Sequence, residues 1–324
     1  MIALGIDVGK ADFHCALVDE SGKPRFNSFP NSRTGFERLT KWLQNRSIDR
    51  VHACMESTGG WSEELGAYLH DLGHLVSIVN PLAIRAFGQS ELSRTKTDKA
   101  DAALIGRYCL AMRPAQWEPP SPAQRRLQRL VRRRSALVEM RVQEDNRLQA
   151  PGSDDVRSSI EGTIAFLEAQ IVAIDEEIRS LIDGDPTLRG KRELLQSIPG
   201  IGERVSTGLL GEIPKLEEFR SGKALAAFVG LCPREYRSGS SVSASWLSKV
   251  GNSHVRKLLF LPAITACRFN PVLMVFARRL RERGKRPKQI IAAVMRRLLV
   301  IAYGVLKSGR PFDPTLALDG QHGI

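Results

Sequence analysis

Apolar positions fall in short runs at the start of the chain and at helical spacing further on. Residues 2–6 and 13–18 are two such runs, rich in strand formers, with Val8-Gly-Lys10 between them as a glycine turn. This pattern predicts a hairpin that opens a sheet, and residues 25–30 can add a third strand. Residues 34–43 place Phe36, Leu39, Trp42 and Leu43 on one helical face. Further short runs at 51–56 and 75–79 flank a helical stretch at 61–72, and Asn80-Pro81 stops the last of them. An opening hairpin followed by alternating strands and helices predicts an α/β sheet of ribonuclease-H-like type.

From Ala102 onward the period is helical. A proline-rich joint at 114–122 precedes one long helix over 123–148, and helical spacing resumes at 160–182 after Pro151-Gly-Ser-Asp-Asp155. Two antiparallel helices forming a coiled-coil arm are the expected outcome. Ile198-Pro-Gly200-Ile-Gly202 then lies between two helical stretches, the helix-hairpin-helix pattern. Residues 219–229 read as a helix, 230–241 as an exposed serine-rich loop, and 271–306 as basic and helical. The fold class is therefore α/β plus α, in three parts: 1–113, 114–190 and a mostly helical 191–324.

Charge narrows the partner. The 324 residues hold 48 Lys and Arg against 35 Asp and Glu, a net charge of +13, so a polyanion is expected. No apolar run reads as approaching the roughly 20 residues that span a bilayer, and the start lacks a signal peptide's layout, so a cytoplasmic location is expected. The five cysteines have no CxxC spacing and read as buried, reduced thiols. His70 and His74 read as solvated surface.

Four carboxylates stand out against this background. Asp7 and Glu56 end apolar strands, while Asp98 and Asp101 share the first turn of a helix. A helix cap at Thr97 or Asp98, with Asp101 favouring the dipole, explains the second pair equally simply. Carboxylates from two strand ends and one helix start are also what a two-metal phosphoryl-transfer site requires. Arg125, Arg126, Arg129, Arg132, Arg133 and Arg134 crowd the long helix and suit a phosphate-binding surface. Gly200 and Gly202 would let backbone N–H groups approach a phosphate closely.

Five motifs occur in order: Gly5-Ile-Asp7-Val-Gly-Lys10, Met55-Glu56-Ser-Thr-Gly59, Lys96-Thr-Asp98-Lys-Ala-Asp101, Ile198-Pro-Gly-Ile-Gly202 and Ser238-Gly-Ser-Ser241. Together they resemble the DEDD transposases of insertion-sequence family 110, which are bridge-RNA-guided recombinases, over nearly the whole chain. The resemblance implies a RuvC-like nuclease domain whose four acids are Asp7, Glu56, Asp98 and Asp101, holding Mg²⁺, in all two ions. It implies a coiled coil leading to a transposase domain with Ser238 as nucleophile, forming a covalent phosphoserine. Arg237 would steady the phosphorane, and Arg237 and Lys249 join the nucleic-acid contacts. Implied partners are target and donor double-stranded DNA, a structured guide RNA, and further copies of the chain as a dimer or tetramer, with no membrane. Gly5-Ile-Asp-Val-Gly-Lys10 also resembles the first phosphate loop of sugar kinases, but no second glycine-rich loop follows. A RuvC-like nuclease or invertase without guide RNA, and a non-catalytic nucleic-acid scaffold, are the other readings.

Overall fold

The computed structural model describes residues 2–19, 23–57, 60–92, 97–238, 242–248 and 250–315, with backbone alone at 234–246. The chain forms two compact units, Met1–Pro119 and Pro120–Ile324.

The first unit is built on a five-stranded sheet. Strands β1 (Ala3–Val8), β2 (Asp12–Val18) and β3 (Arg25–Pro30) run antiparallel in succession. The β1–β2 turn closes with the Gly9 N–H donating to the Asp12 carbonyl at 2.9 Å. Helix α1 (Arg33–Gln44), capped by Ser32, buries Phe36, Leu39, Trp42 and Leu43 as its spacing predicts. Strand β4 (His52–Glu56) then pairs parallel to β1 on its other side. Helix α2 (Gly60–Asp71) leads to β5 (Leu75–Val79), parallel to β4, giving the order β3-β2-β1-β4-β5. These directions and this order are those of a ribonuclease-H-like sheet.

Asn80-Pro81 does more than end a strand. Asn80 accepts from the Leu82 N–H and Pro81 opens helix α3 (Pro81–Ser90), because proline at a first helical position has no missing partner. Helix α4 (Asp98–Met112), capped by Thr97, lies on β1, β2 and β4. Its approach to β1 is backbone to backbone. A Cβ on Gly5 would lie 2.1 Å from the Ala102 carbonyl oxygen and 2.3 Å from the Gly106 nitrogen. His74 is buried, against its surface reading, at the residue just before β5, where its N–H donates to the Leu69 carbonyl at 3.1 Å.

The second unit is almost wholly helical. Helices α5 (Pro122–Leu148) and α6 (Arg157–Asp183) pack as a hairpin sealed by Leu137, Leu167 and Ile171. Its lower half belongs to the main core, through Leu127, Val131, Ile178 and Ile182. Helices α7 (Pro186–Gln196) and α8 (Glu203–Glu212) follow, then α9 (Gly222–Val229), which starts later than the sequence suggests. Residues Leu216–Glu218 form a separate 3₁₀ turn, since Ser221 caps α9 and fixes where it begins.

The expected serine-rich loop is instead a hairpin of β6 (Pro233–Ser238) and β7 (Val242–Leu247). Val242, Ala244 and Trp246 supply the alternation that a polar composition hid. Helices α10 (Ser253–Phe269), α11 (Pro271–Glu282) and α12 (Pro287–Ser308) complete the unit, so the basic, helical stretch expected at 271–306 is carried by two helices. Gly284, with φ 72°, separates them. By length and composition α12 could cross a membrane, which the sequence reading overlooked. In this fold it is a core helix: Ile290, Val294, Leu298, Leu299 and Ala302 are buried, and it packs on α7, α9, α10 and α11.

Candidate active site

Parallel pairing sets the first two acids side by side. The β1–β4 register runs from Ala3 opposite His52 to Ile6 opposite Met55, so Asp7 and Glu56 come next on adjacent strands. Both are half-buried. The glycine contact under α4 brings the first turn of that helix, with Asp98 and Asp101, to the same end of the sheet. The charges feel one another. Burial first, then Asp101 and Asp98, hold the Asp7 carboxyl above the usual carboxylate range. Glu56 is raised in the same way, by burial, then Asp7 and Asp101. Thr97 accepts the Ala100 N–H at 3.2 Å, so the capping explanation also holds for this turn.

One residue here escaped the sequence reading. His14 stands directly across the β1–β2 ladder from Asp7, and its Nε2 lies 3.3 Å from Asp98 Oδ2 and 3.9 Å from Asp12 Oδ2. The turn at Gly9 was the available signal, because it fixes which β2 residue faces Asp7. In kind, the carboxylate oxygens fit a hard divalent cation, and a cation would relieve their mutual repulsion. Among the described residues, however, no three His, Cys, Asp or Glu side chains stand close enough together to hold one ion as placed. Asp98 lies against His14 instead.

In the second unit, the two candidate glycines play different parts. Gly200 has φ 105°, and a Cβ there would lie 2.8 Å from the Ala266 Cβ, so packing alone requires glycine. Gly202 has open space around it at the N-terminus of α8. Ser238 is the last residue of β6, opposite Val242. Arg237 precedes it on the strand, while Lys249, Gly239, Ser240 and Ser241 lie outside the described residues.

The hairpin springs from a tight base. A Cβ on Gly251 would lie 2.2 Å from the Phe228 carbonyl oxygen, and Arg256 Nη1 donates to the Val229 and Gly251 carbonyls at 2.7 and 3.1 Å. Beneath it sits the buried carboxylate of Glu212, accepting from Asn252 Nδ2 at 3.0 Å and from Arg132 Nε at 3.1 Å.

Comparison with known proteins gives two family matches: a transposase model over residues 4–151 and the "Transposase IS116/IS110/IS902 family" over residues 192–278. The "Pilin gene-inverting protein" of Moraxella lacunata is 36% identical over 315 residues, covering 96% of this chain and 97% of that protein. The chain belongs to the IS110 transposase family. The "Transposase for insertion sequence element IS1328" of Yersinia enterocolitica is 26% identical, over 79% of this chain and 81% of its own. The structure of Thermus thermophilus RuvC matches 36% of this chain and 99% of its own, at 14% identity and a TM-score of 0.27.

Some of the arginines of this IS110-family chain also have partners within the fold. Arg132 is tied to Glu212, Arg134 to Asp175 and Arg126 to Glu177, so three of the six are engaged within the fold. Those carboxylates lie 41 to 80 residues away in sequence, beyond reach of a local reading. Arg125, Arg129 and Arg133, spaced four apart, share a face and carry no ion pair among the described residues. Arg132→Ala is accordingly expected to destabilise the second unit by about 2–4 kcal/mol, since it strands a buried carboxylate. The check is the urea midpoint of the variant against the wild type. An unchanged midpoint would return Arg132 to the list of free phosphate contacts.

Proposed function

We propose that this family member is a DNA recombinase that cleaves and rejoins strands through two parts of one mechanism. Asp7, Glu56, Asp98 and Asp101 would hold Mg²⁺, two ions in all, whose chemistry is to polarise the scissile phosphate and offset developing negative charge. Ser238 Oγ forms a bond to phosphorus as one phosphodiester P–O bond breaks, and the serine proton ends on the released sugar hydroxyl. The resulting phosphoserine keeps the bond energy for rejoining. Arg237, on the same strand, would be the cation that steadies the phosphorane. Arg125, Arg129, Arg133, Gly202 at the helix-hairpin-helix, and Lys249 would contact nucleic-acid backbones, and a structured bridge RNA would select the target and donor duplexes within a dimer or tetramer.

The observation that carries this reading is the gathering of Asp7, Glu56, Asp98 and Asp101 at one end of a ribonuclease-H-like sheet, with Asp7 and Glu56 raised by burial first and then by their acidic neighbours. A second reading, inversion of a DNA segment rather than its transposition, is favoured by the likeness to the pilin gene-inverting protein along 96% of the chain.

One experiment addresses both. The coding sequence and its native flanks are placed on a plasmid, new junctions are sequenced, and RNA that co-purifies with the protein is sequenced alongside. Excised or relocated junctions with an RNA from the flank are the expected result. Inverted junctions without such an RNA would favour the second reading, and no junctions at all would remove the recombinase assignment.

A further inference from the structure

The strongest concentration of free positive charge lies away from the long helical hairpin. Arg278, Arg281, Arg283, Lys285, Arg286 and Lys288 are all exposed, and Glu282 is the only acid among residues 278–288. None of the six makes an ion pair among the described residues. The fold explains the concentration. Helix α11 ends at Glu282, Gly284 turns the chain in the left-handed region, and the Lys285 N–H donates back to the Leu280 carbonyl at 3.1 Å. Helix α12 starts at Pro287. The last turn of one helix, the turn itself and the first turn of the next thus form one projecting corner.

The inner faces of the two helices are apolar, with Val272, Leu273, Ala277, Ile290 and Val294 buried. Nearby Arg297, 5.1 Å from the Phe276 ring centroid, is held below the usual arginine range by burial and by Arg279. Six cations kept at such density for no internal partner call for an external polyanion.

We infer that the α11–α12 corner is a docking surface for the phosphate backbone of duplex DNA. This rests on the recombinase reading and adds a surface to it. Duplex is favoured over single strand because residues 278–288 contain no aromatic side chain on which an unpaired base could stack. Long, mobile cations with no acceptor-rich neighbours fix position on a backbone and read no sequence. The contrast with α5 is direct: there, three of six arginines are engaged by the protein's own carboxylates.

The test uses the full-length protein and two short mixed-sequence probes of equal length, a DNA duplex and an RNA duplex. The variant combines Arg281→Ala, Arg283→Ala, Lys285→Ala and Lys288→Ala, all exposed positions, with circular dichroism and melting to verify the fold. A companion Arg281→Lys, Arg283→Lys protein keeps the charge. Each lost phosphate contact removes about 0.9 from the slope of log affinity against log salt, so four should flatten it by about 3.6. At moderate salt the alanine protein should bind DNA at least about tenfold more weakly, and the lysine protein close to normally.

If the wild type binds DNA and the alanine protein keeps its affinity and slope, the corner is wrong and the recombinase reading stands. A loss confined to the RNA duplex would make RNA the occupant and overturn the inference. A wild type that binds no DNA at low salt would overturn both together.

Discussion

Asp7→Asn is expected to cripple strand exchange while making the metal-free protein more stable. Asp7 is raised by burial first and by Asp101 and Asp98 next, so its ionised form is held in the fold against resistance. The sign of the pH dependence follows. A raised acid contributes stability that is fully present below its ordinary carboxylate value and is lost as pH rises through the raised one. At neutral pH, without divalent ions, the wild type therefore carries an unrelieved repulsion that asparagine removes. The melting temperature of the variant should exceed the wild type's by about 2–5 °C, and the gap should close as pH falls toward the ordinary carboxylate range.

Mg²⁺ should reverse the order. Saturation to about 100 times the dissociation constant adds roughly 2.7 kcal/mol to a protein that binds only when folded, and the variant should gain far less. Recombination should fall by about 100- to 1000-fold or more, the scale on which one electrostatic group acts in a catalytic centre. Calorimetry in chelator and in Mg²⁺, beside the plasmid-junction assay, checks all three outcomes. A variant that melts lower in chelator would contradict the shared-field description of the acids. A wild type that Mg²⁺ leaves unmoved would sink the metal assignment.

Ser238→Ala should remove covalent protein–DNA adducts and lower recombination by roughly 10,000-fold or more, since nothing else in the alanine side chain can attack phosphorus. Ser238 ends β6 on a ladder that begins at Pro233 opposite Leu247, so one lost hydroxyl leaves the strand pairing untouched. DNA affinity should stay within about twofold, because the charge is unchanged. Denaturing gels of protein trapped on DNA make the measurement. Persisting adducts in this variant would place the nucleophile elsewhere, with Ser240 and Ser241 the next positions to change.

Much of the first unit could be read from the sequence because its signals are local. Runs of strand formers at β1, β2 and β4 gave the sheet, and their ends marked Asp7 and Glu56. Pairing the helix start at Asp98 with those ends needed only the assumption that α4 covers the sheet. What failed to show were features set by position rather than composition. Pro81 looked like a terminator because proline ends strands and opens helices with equal ease. The Ser238 segment looked like a loop because its glycine and serines concealed the alternation of Val242, Ala244 and Trp246. His14 was passed over because its importance lies in a cross-strand register, and the pairing of Arg132 went unread because its partner Glu212 is 80 residues away.

The meeting of Gly5 with Gly106 and the Ala102 carbonyl also bears on how such a chain can diverge over generations. Two of the acids are carried by strands and two by a helix encoded much later, yet their alignment is inherited through a contact that involves no side chain. Sliding α4 by one turn would displace Asp98 and Asp101 by about 5.4 Å. The same slide would replace the bare glycine at the crossing with a bulkier neighbour, which the strand cannot admit. The seat is thus self-indexing. Sequence between these elements can lengthen, shorten or drift without moving the acids, so long as two of the smallest residues in the chain stay where they are.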